Sequence, residues 1–228
     1  MIEPYNATVK SRIKDNPYFF GMYFLFLILG YFILLNINKG DCVIYFNDMR
    51  GTYLDDVFRF FSSLGEGIQF AVFLIIAGVF RIKYLFNGLM IYFIPGIVSQ
   101  LMKNIFKIPR PKAFFEGSDL VTYVDGFELF SHNSFPSGHT TSGFAIFLFL
   151  SLITPYKPLG IFYFVMALLV GISRVYLVQH FLIDVYFGSM VGVFAGMLTY
   201  NYIENNPKIS SSKWYNFSIY EAKFKTKI

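Results

Sequence analysis

Residues 16–38 carry no charged side chain, and residues 67–80, 84–102, 140–156, 158–173 and 185–203 share that property. An ionisable group at the centre of a bilayer costs about 2.5–3.5 kcal/mol on insertion scales, so charge-free apolar runs read as membrane helices. Few other folds accept six such runs. Composition agrees: 55% of residues are hydrophobic and 14% charged, against about 25% charged in soluble domains. The expected fold is all-α, a polytopic membrane protein with six transmembrane helices. The first run is too long for a signal-peptide core. Its end, residues 31–39, has no Ala, Gly or Ser for a peptidase to read, so it is expected to be an uncleaved helix. Residues 67–80 are short for a span. Residues 62–66 can extend them on one side, while Arg81 and Lys83 snorkel on the other.

The polar connections carry further signals. Leu54, Val57, Phe58 and Phe61 fall at helical spacing and Gly65 follows as a stop, which predicts a short amphipathic helix at the interface. Asp55 and Asp56 read as the solvated start of that helix rather than as a catalytic pair. Pro95-Gly96 predicts a kink in the third run. Gly188, Gly192 and Gly196 form a small-residue face for close helix packing. Residues 1–15 are expected as a cytoplasmic amino-terminal segment, 16–203 as one membrane domain, and 204–228 as a cytoplasmic tail, disordered or interfacial.

With the amino terminus inside and six crossings, eleven Lys and Arg fall inside and eight outside, which supports that orientation. The parity of spans has a consequence. No run separates Lys103 from His139, and two separate His139 from Ser173. The polar residues of all three regions therefore share one membrane face, the external one.

Three clusters meet there. The first is Lys103 with Arg110-Pro111. The second is Pro136-Ser137-Gly138-His139. The third is Ser173-Arg174 with His180 and Asp184. On a helix, His180 and Asp184 would be i,i+4 neighbours, about 6 Å apart along the axis. A carboxylate at that spacing can hold one imidazole nitrogen and leave the other free. Lys103, Arg110 and Arg174 are suited to phosphoryl oxygens. Ser137, Gly138 and Ser173 can add hydrogen bonds, and a glycine at a helix start lets an anion approach the backbone N–H groups. In this set His180 would attack phosphorus, oriented by Asp184. His139 would protonate the leaving oxygen and later activate water.

These three clusters resemble the signature of the type 2 phosphatidic acid phosphatase family, which includes glucose-6-phosphatase and the vanadium haloperoxidases. No motif position departs from the pattern. The resemblance implies a helical fold, metal-independent hydrolysis of a phosphate ester without a cofactor, and a phosphohistidine intermediate. Six apolar runs point to the lipid-phosphatase branch, acting at the plasma (bacterial inner) membrane. The expected partner is a membrane lipid phosphate or diphosphate, such as undecaprenyl diphosphate or a phosphatidate-type glycerolipid. A lipid A phosphatase or a lipid phosphotransferase is the alternative, and a non-enzymatic binder or transporter a further one.

Other readings are excluded by composition. Basic residues cluster at the ends of apolar runs, which argues against nucleic acid as a partner. Cys42 is the only cysteine, so there is no internal disulfide or thiolate cluster, and three histidines are few for a His-rich metal site. His132 and the acidic residues Glu116, Asp119, Asp125 and Glu128 are expected on a solvated loop.

Overall fold

The long apolar runs fold as helices because their backbone groups can be satisfied within each segment, as a lipid environment demands. The computed structural model describes residues 7–224. Residues 1–6 of the expected amino-terminal segment, and residues 225–228 with Lys225 and Lys227 of the expected tail, lie outside the described residues. In chain order the helices are α1 (Val9–Lys14), α2 (Pro17–Asn36), α3 (Asp41–Asp48), α4 (Thr52–Leu64), α5 (Ile68–Phe80) and α6 (Ile82–Phe106). Then follow α7 (Pro111–Phe114), α8 (Gly138–Ile153), α9 (Leu159–Tyr176), α10 (Leu182–Asn205), α11 (Pro207–Ser210) and α12 (Ile219–Phe224). Among the described residues there is no strand, so the all-α expectation holds.

The expected count of six spans meets a finer picture. Four helical stretches are long and apolar enough to cross a bilayer: α2, α6 continuing into α7, α9 and α10. The pair α4–α5 qualifies as a fifth only when taken together, across a 47° bend. Gly67, at φ 87°, supplies the left-handed residue at that bend. The amphipathic helix expected near residues 54–65 is α4, and it packs against α9. Helix α8 has 16 residues, about 24 Å of helix, less than the hydrocarbon thickness.

Helix α8 forms the centre. Nearly every residue from Thr140 to Phe149 is buried, and α8 packs on α6, α9 and α10. By contrast, α2 leaves Phe24, Ile28, Leu29, Phe32 and Leu35 exposed. An exposed apolar face of that extent on a polytopic helical protein is a lipid-facing surface. The glycine face of α10 is a packing face, as expected. A β-carbon on Gly188 would lie 2.8 Å from the Ser137 carbonyl oxygen, so glycine lets α10 close onto the start of α8. Pro95 lies inside the continuous α6.

Of the two tails expected, disordered or interfacial, the described residues of the carboxyl-terminal segment rule out the disordered one. Tyr215 is buried, and its hydroxyl lies 2.6 Å from Glu204 Oε1 and 3.0 Å from Asn87 Oδ1. Asn87 Nδ2 also donates to Glu204 Oε1 at 2.8 Å, and Ile82 N donates to the Phe217 carbonyl at 3.0 Å. A partly apolar stretch with one buried tyrosine folded back on the bundle gave no helical period to read.

Candidate active site

The site is built at one end of the bundle, where α6, α8, α9 and α10 meet the long connection 107–137. Ser137 caps α8: its Oγ accepts from Thr140 N at 3.4 Å and from Thr140 Oγ1 at 2.9 Å. Its own N–H donates to the Asp184 carbonyl at 3.0 Å, which ties the start of α8 to the first turn of α10. Gly138 is the first residue of α8. Lys103 Nζ lies 3.3 Å from where a β-carbon on Gly138 would sit, so the lysine of the first cluster reaches the helix start of the second.

His180 and Asp184 are brought together, but not on one helix as the spacing predicted. Helix α9 ends at Tyr176 and α10 begins at Leu182. Between them Val178 adopts φ 58°, and the Arg174 carbonyl accepts from both Gln179 N at 2.9 Å and His180 N at 3.1 Å. This turn leaves His180 between the two helices, while Asp184 lies in the first turn of α10. Asp184 then caps α10, its Oδ2 accepting from Phe181 N at 2.9 Å. The same Oδ2 lies 3.5 Å from His180 Nδ1 and accepts from Ser134 Oγ at 2.5 Å. Ser134 Oγ is 3.4 Å from Nδ1. One face of the imidazole is therefore engaged and Nε2 is left for other chemistry. His180, Asp184 and Ser134 are all buried. Burial first, then the charges of Arg110, Arg174 and Lys103, hold the His180 imidazole well below the usual histidine range. The imidazole is thus neutral at pH 7.

The two arginines are held differently. Arg110 Nε donates to the His132 carbonyl at 2.9 Å and Nη1 to Gln179 Oε1 at 2.9 Å, with its guanidinium 5.2 Å from the Phe130 ring. Gln179 is itself fixed by donating to the Glu128 carbonyl at 2.8 Å. Arg174 is buried. Its Nη1 donates to Ser62 Oγ on α4, and its Nε has no hydrogen-bond partner among the described residues. Ser173 is buried and donates to the Val170 carbonyl at 2.6 Å, so its hydroxyl proton is used within α9. His139 is part-exposed, with Nε2 3.7 Å from Glu66 Oε1 in the α4–α5 bend. His132 is exposed, as expected, and contributes its carbonyl rather than its ring. Asp55 is neither free nor catalytic in position: it pairs with Arg50 at 2.9 Å and accepts from Tyr176 OH at 2.7 Å.

Four residues near these groups escaped the sequence reading: Ser134, Gln179, Ser62 and Glu66. Gln179 stands beside His180 and Ser134 lies three residues before Ser137, so adjacency was the only signal for them. Ser62 on α4 and Glu66 in the α4–α5 bend are distant in sequence and gave none.

Comparison with known proteins identifies the family and the fold. A family model described as the PAP2 superfamily matches residues 68–208. The chain is 32% identical to Lipid phosphate phosphatase 1 of Arabidopsis thaliana over 139 residues, 50% of this chain and 42% of that protein. It is 39% identical to the Bacitracin transport permease protein BcrC of Bacillus licheniformis over 72 residues, 30% of this chain and 32% of that one. The matches thus span less than half the length of these relatives. Among solved structures, Aquifex aeolicus LpxE superposes with a TM-score of 0.62 at 27% identity, covering 71% of this chain and 93% of that one. The transmembrane PAP2-type phosphatidylglycerolphosphate phosphatase of Bacillus subtilis gives a TM-score of 0.58 at 25% identity, covering 83% and 97%.

Proposed function

The chain belongs to the PAP2 superfamily, and from that premise we propose that it is an integral membrane phosphatase that hydrolyses a lipid phosphate or diphosphate through a phosphohistidine. The observation that carries this reading is the setting of His180. Its Nδ1 side is engaged by Ser134 and Asp184, it is neutral, and the charges of Arg110, Arg174 and Lys103 act on it. In the first step Nε2 forms a bond to phosphorus and the bond from phosphorus to the leaving oxygen breaks. His139 gives that oxygen a proton. In the second step His139 takes a proton from water, the hydroxide attacks phosphorus, and the phosphorus–nitrogen bond breaks to release phosphate. Lys103, Arg110 and Arg174 neutralise the phosphoryl oxygens, with hydrogen bonds from Ser137 and the backbone of Gly138. The unpartnered Nε of buried Arg174 supports an anionic ligand, because a buried donor without a partner is costly to keep. Ser173 supports the site through α9, since its hydroxyl proton is already engaged.

With three cations supplying the charge neutralisation, the reaction needs no metal ion and no cofactor. The catalytic domain is residues 16–203. Counting α4–α5 as one crossing and the enclosed α8 as another returns six crossings, with the amino terminus and residues 204–228 cytoplasmic and the site at the external face of the plasma (bacterial inner) membrane. Exposed apolar faces beside the site suit a substrate whose tails stay in the bilayer, an undecaprenyl diphosphate or a phosphatidate-type glycerolipid. The test is phosphate release from these lipids by purified protein in detergent, with EDTA present. Wild type should release phosphate and His180→Ala should not. Release by His180→Ala at the wild-type rate, or loss on chelation restored by a divalent ion, would overturn the mechanism.

A further inference from the structure

The α4–α5 bend is not part of any of the three clusters, yet it lies against His139. A β-carbon on Gly65 would sit 2.9 Å from the His139 carbonyl oxygen, a distance that glycine alone permits without displacement. The bend is pinned from α6 by Tyr92 OH, which donates to the Glu66 carbonyl at 2.7 Å. Its side chain then points into the site: Glu66 Oε1 is 3.7 Å from His139 Nε2. Both side chains are part-exposed, so the pair itself adds little stability. Its position matters more. An oxygen that takes a proton from His139 Nε2 must come within about 3 Å of it. That oxygen then lies within about 7 Å of the Glu66 carboxylate. Glu66 is also among the charges that act on Arg174. It places negative charge on the leaving-group side of a site that is otherwise cationic.

We infer that Glu66 is a specificity-determining residue that favours phosphomonoesters over diphosphates. The inference rests on the phosphatase reading and narrows its substrate class. In a monoester, the bond from phosphorus to oxygen breaks and the oxygen collects a proton from His139, leaving as a neutral alcohol. In a diphosphate, the departing group is a lipid monophosphate, an anion released toward Glu66. At an effective dielectric of about 20, and with the screening of a half-exposed carboxylate, that repulsion discriminates by about tenfold.

The test uses the full-length protein in detergent with a monophosphate and a diphosphate of the same alkyl chain. The readout is the ratio of kcat/KM for the two lipids in wild type, Glu66→Gln and Glu66→Asp. Glu66→Gln should shift the ratio toward the diphosphate by about tenfold, less at high salt, while Glu66→Asp keeps a ratio near wild type. A shift of that size supports the inference, because a loss of packing or of fold lowers both rates together. An unchanged ratio in Glu66→Gln overturns it, whether or not both rates fall. Absence of phosphate release from either lipid by the wild type would overturn the phosphatase reading, and this inference with it.

Discussion

His180 is held in a turn by its neighbours' side chains rather than by helix hydrogen bonds, so its orientation depends on single groups. Ser134 is one of them. Its hydroxyl donates to Asp184 Oδ2 at 2.5 Å and lies 3.4 Å from His180 Nδ1. A hydrogen bond to a charged group is worth about 1.5–3 kcal/mol, so Ser134→Ala should lower kcat by about 10–100-fold. KM should change little, because Ser134 lies behind the imidazole from phosphorus. Steady-state kinetics on a lipid phosphate checks both numbers. The electrostatics of His180 are open to a direct measurement. Burial and three cations favour the neutral imidazole. Its proton is therefore acquired only below the usual pKa of about 6.5. The chain has three histidines, so labelled imidazole resonances can be assigned by substitution. The resonance lost in His180→Ala should stay neutral as the pH falls through 6.5.

At the scale of elements, the site depends on how closely α10 approaches α8. Gly188 sits against the Ser137 turn, with 2.8 Å to the carbonyl oxygen from a built β-carbon, whereas at Gly196 the nearest atoms are at 3.5 Å. Backbone cannot yield as a flexible side chain can. Gly188→Val should therefore destabilise the protein by about 1–3 kcal/mol and reduce activity, since it displaces the residue that joins Ser137 N to Asp184. Gly196→Ala meets ordinary contact distances and should be tolerated. Thermal unfolding of both variants in one detergent, with phosphate release measured alongside, separates the two cases. The α4–α5 segment matters for the same reason: it brings Ser62 to Arg174 and Glu66 to His139.

At the scale of the whole molecule, the ends of the bundle differ in chemistry. One end gathers the histidines, Lys103, Arg110, Arg174 and the long connection. The other carries the Asn87–Glu204–Tyr215 network that docks the tail. With the proposed orientation, a cysteine at exposed Asp125 in a Cys42→Ser background should react with a membrane-impermeant thiol reagent in intact cells. One at exposed Lys213 should not. The reverse labelling pattern would invert the topology and place the site inside.

By itself the sequence determined the helical class and the membrane environment, and it nominated the residues of the candidate site. Charge-free runs admit little else, and Lys103, Arg110, Ser137, His139, Ser173, Arg174, His180 and Asp184 stand out as polar groups between those runs or at their ends, with Gly138 just before the fourth. Tertiary structure decided what those residues touch. A spacing of four suggested one helix for His180 and Asp184. The turn at Val178 broke it, and a helix cap restored the proximity by another route. Ser173, expected to add a hydrogen bond to phosphate, donates its hydroxyl to the Val170 carbonyl within α9. Ser62, Glu66, Ser134 and Gln179 were not legible because their roles are defined by contacts made across the fold. Local periodicity reports which face of a helix is apolar, and it carries no information about which distant polar group the fold will set against it.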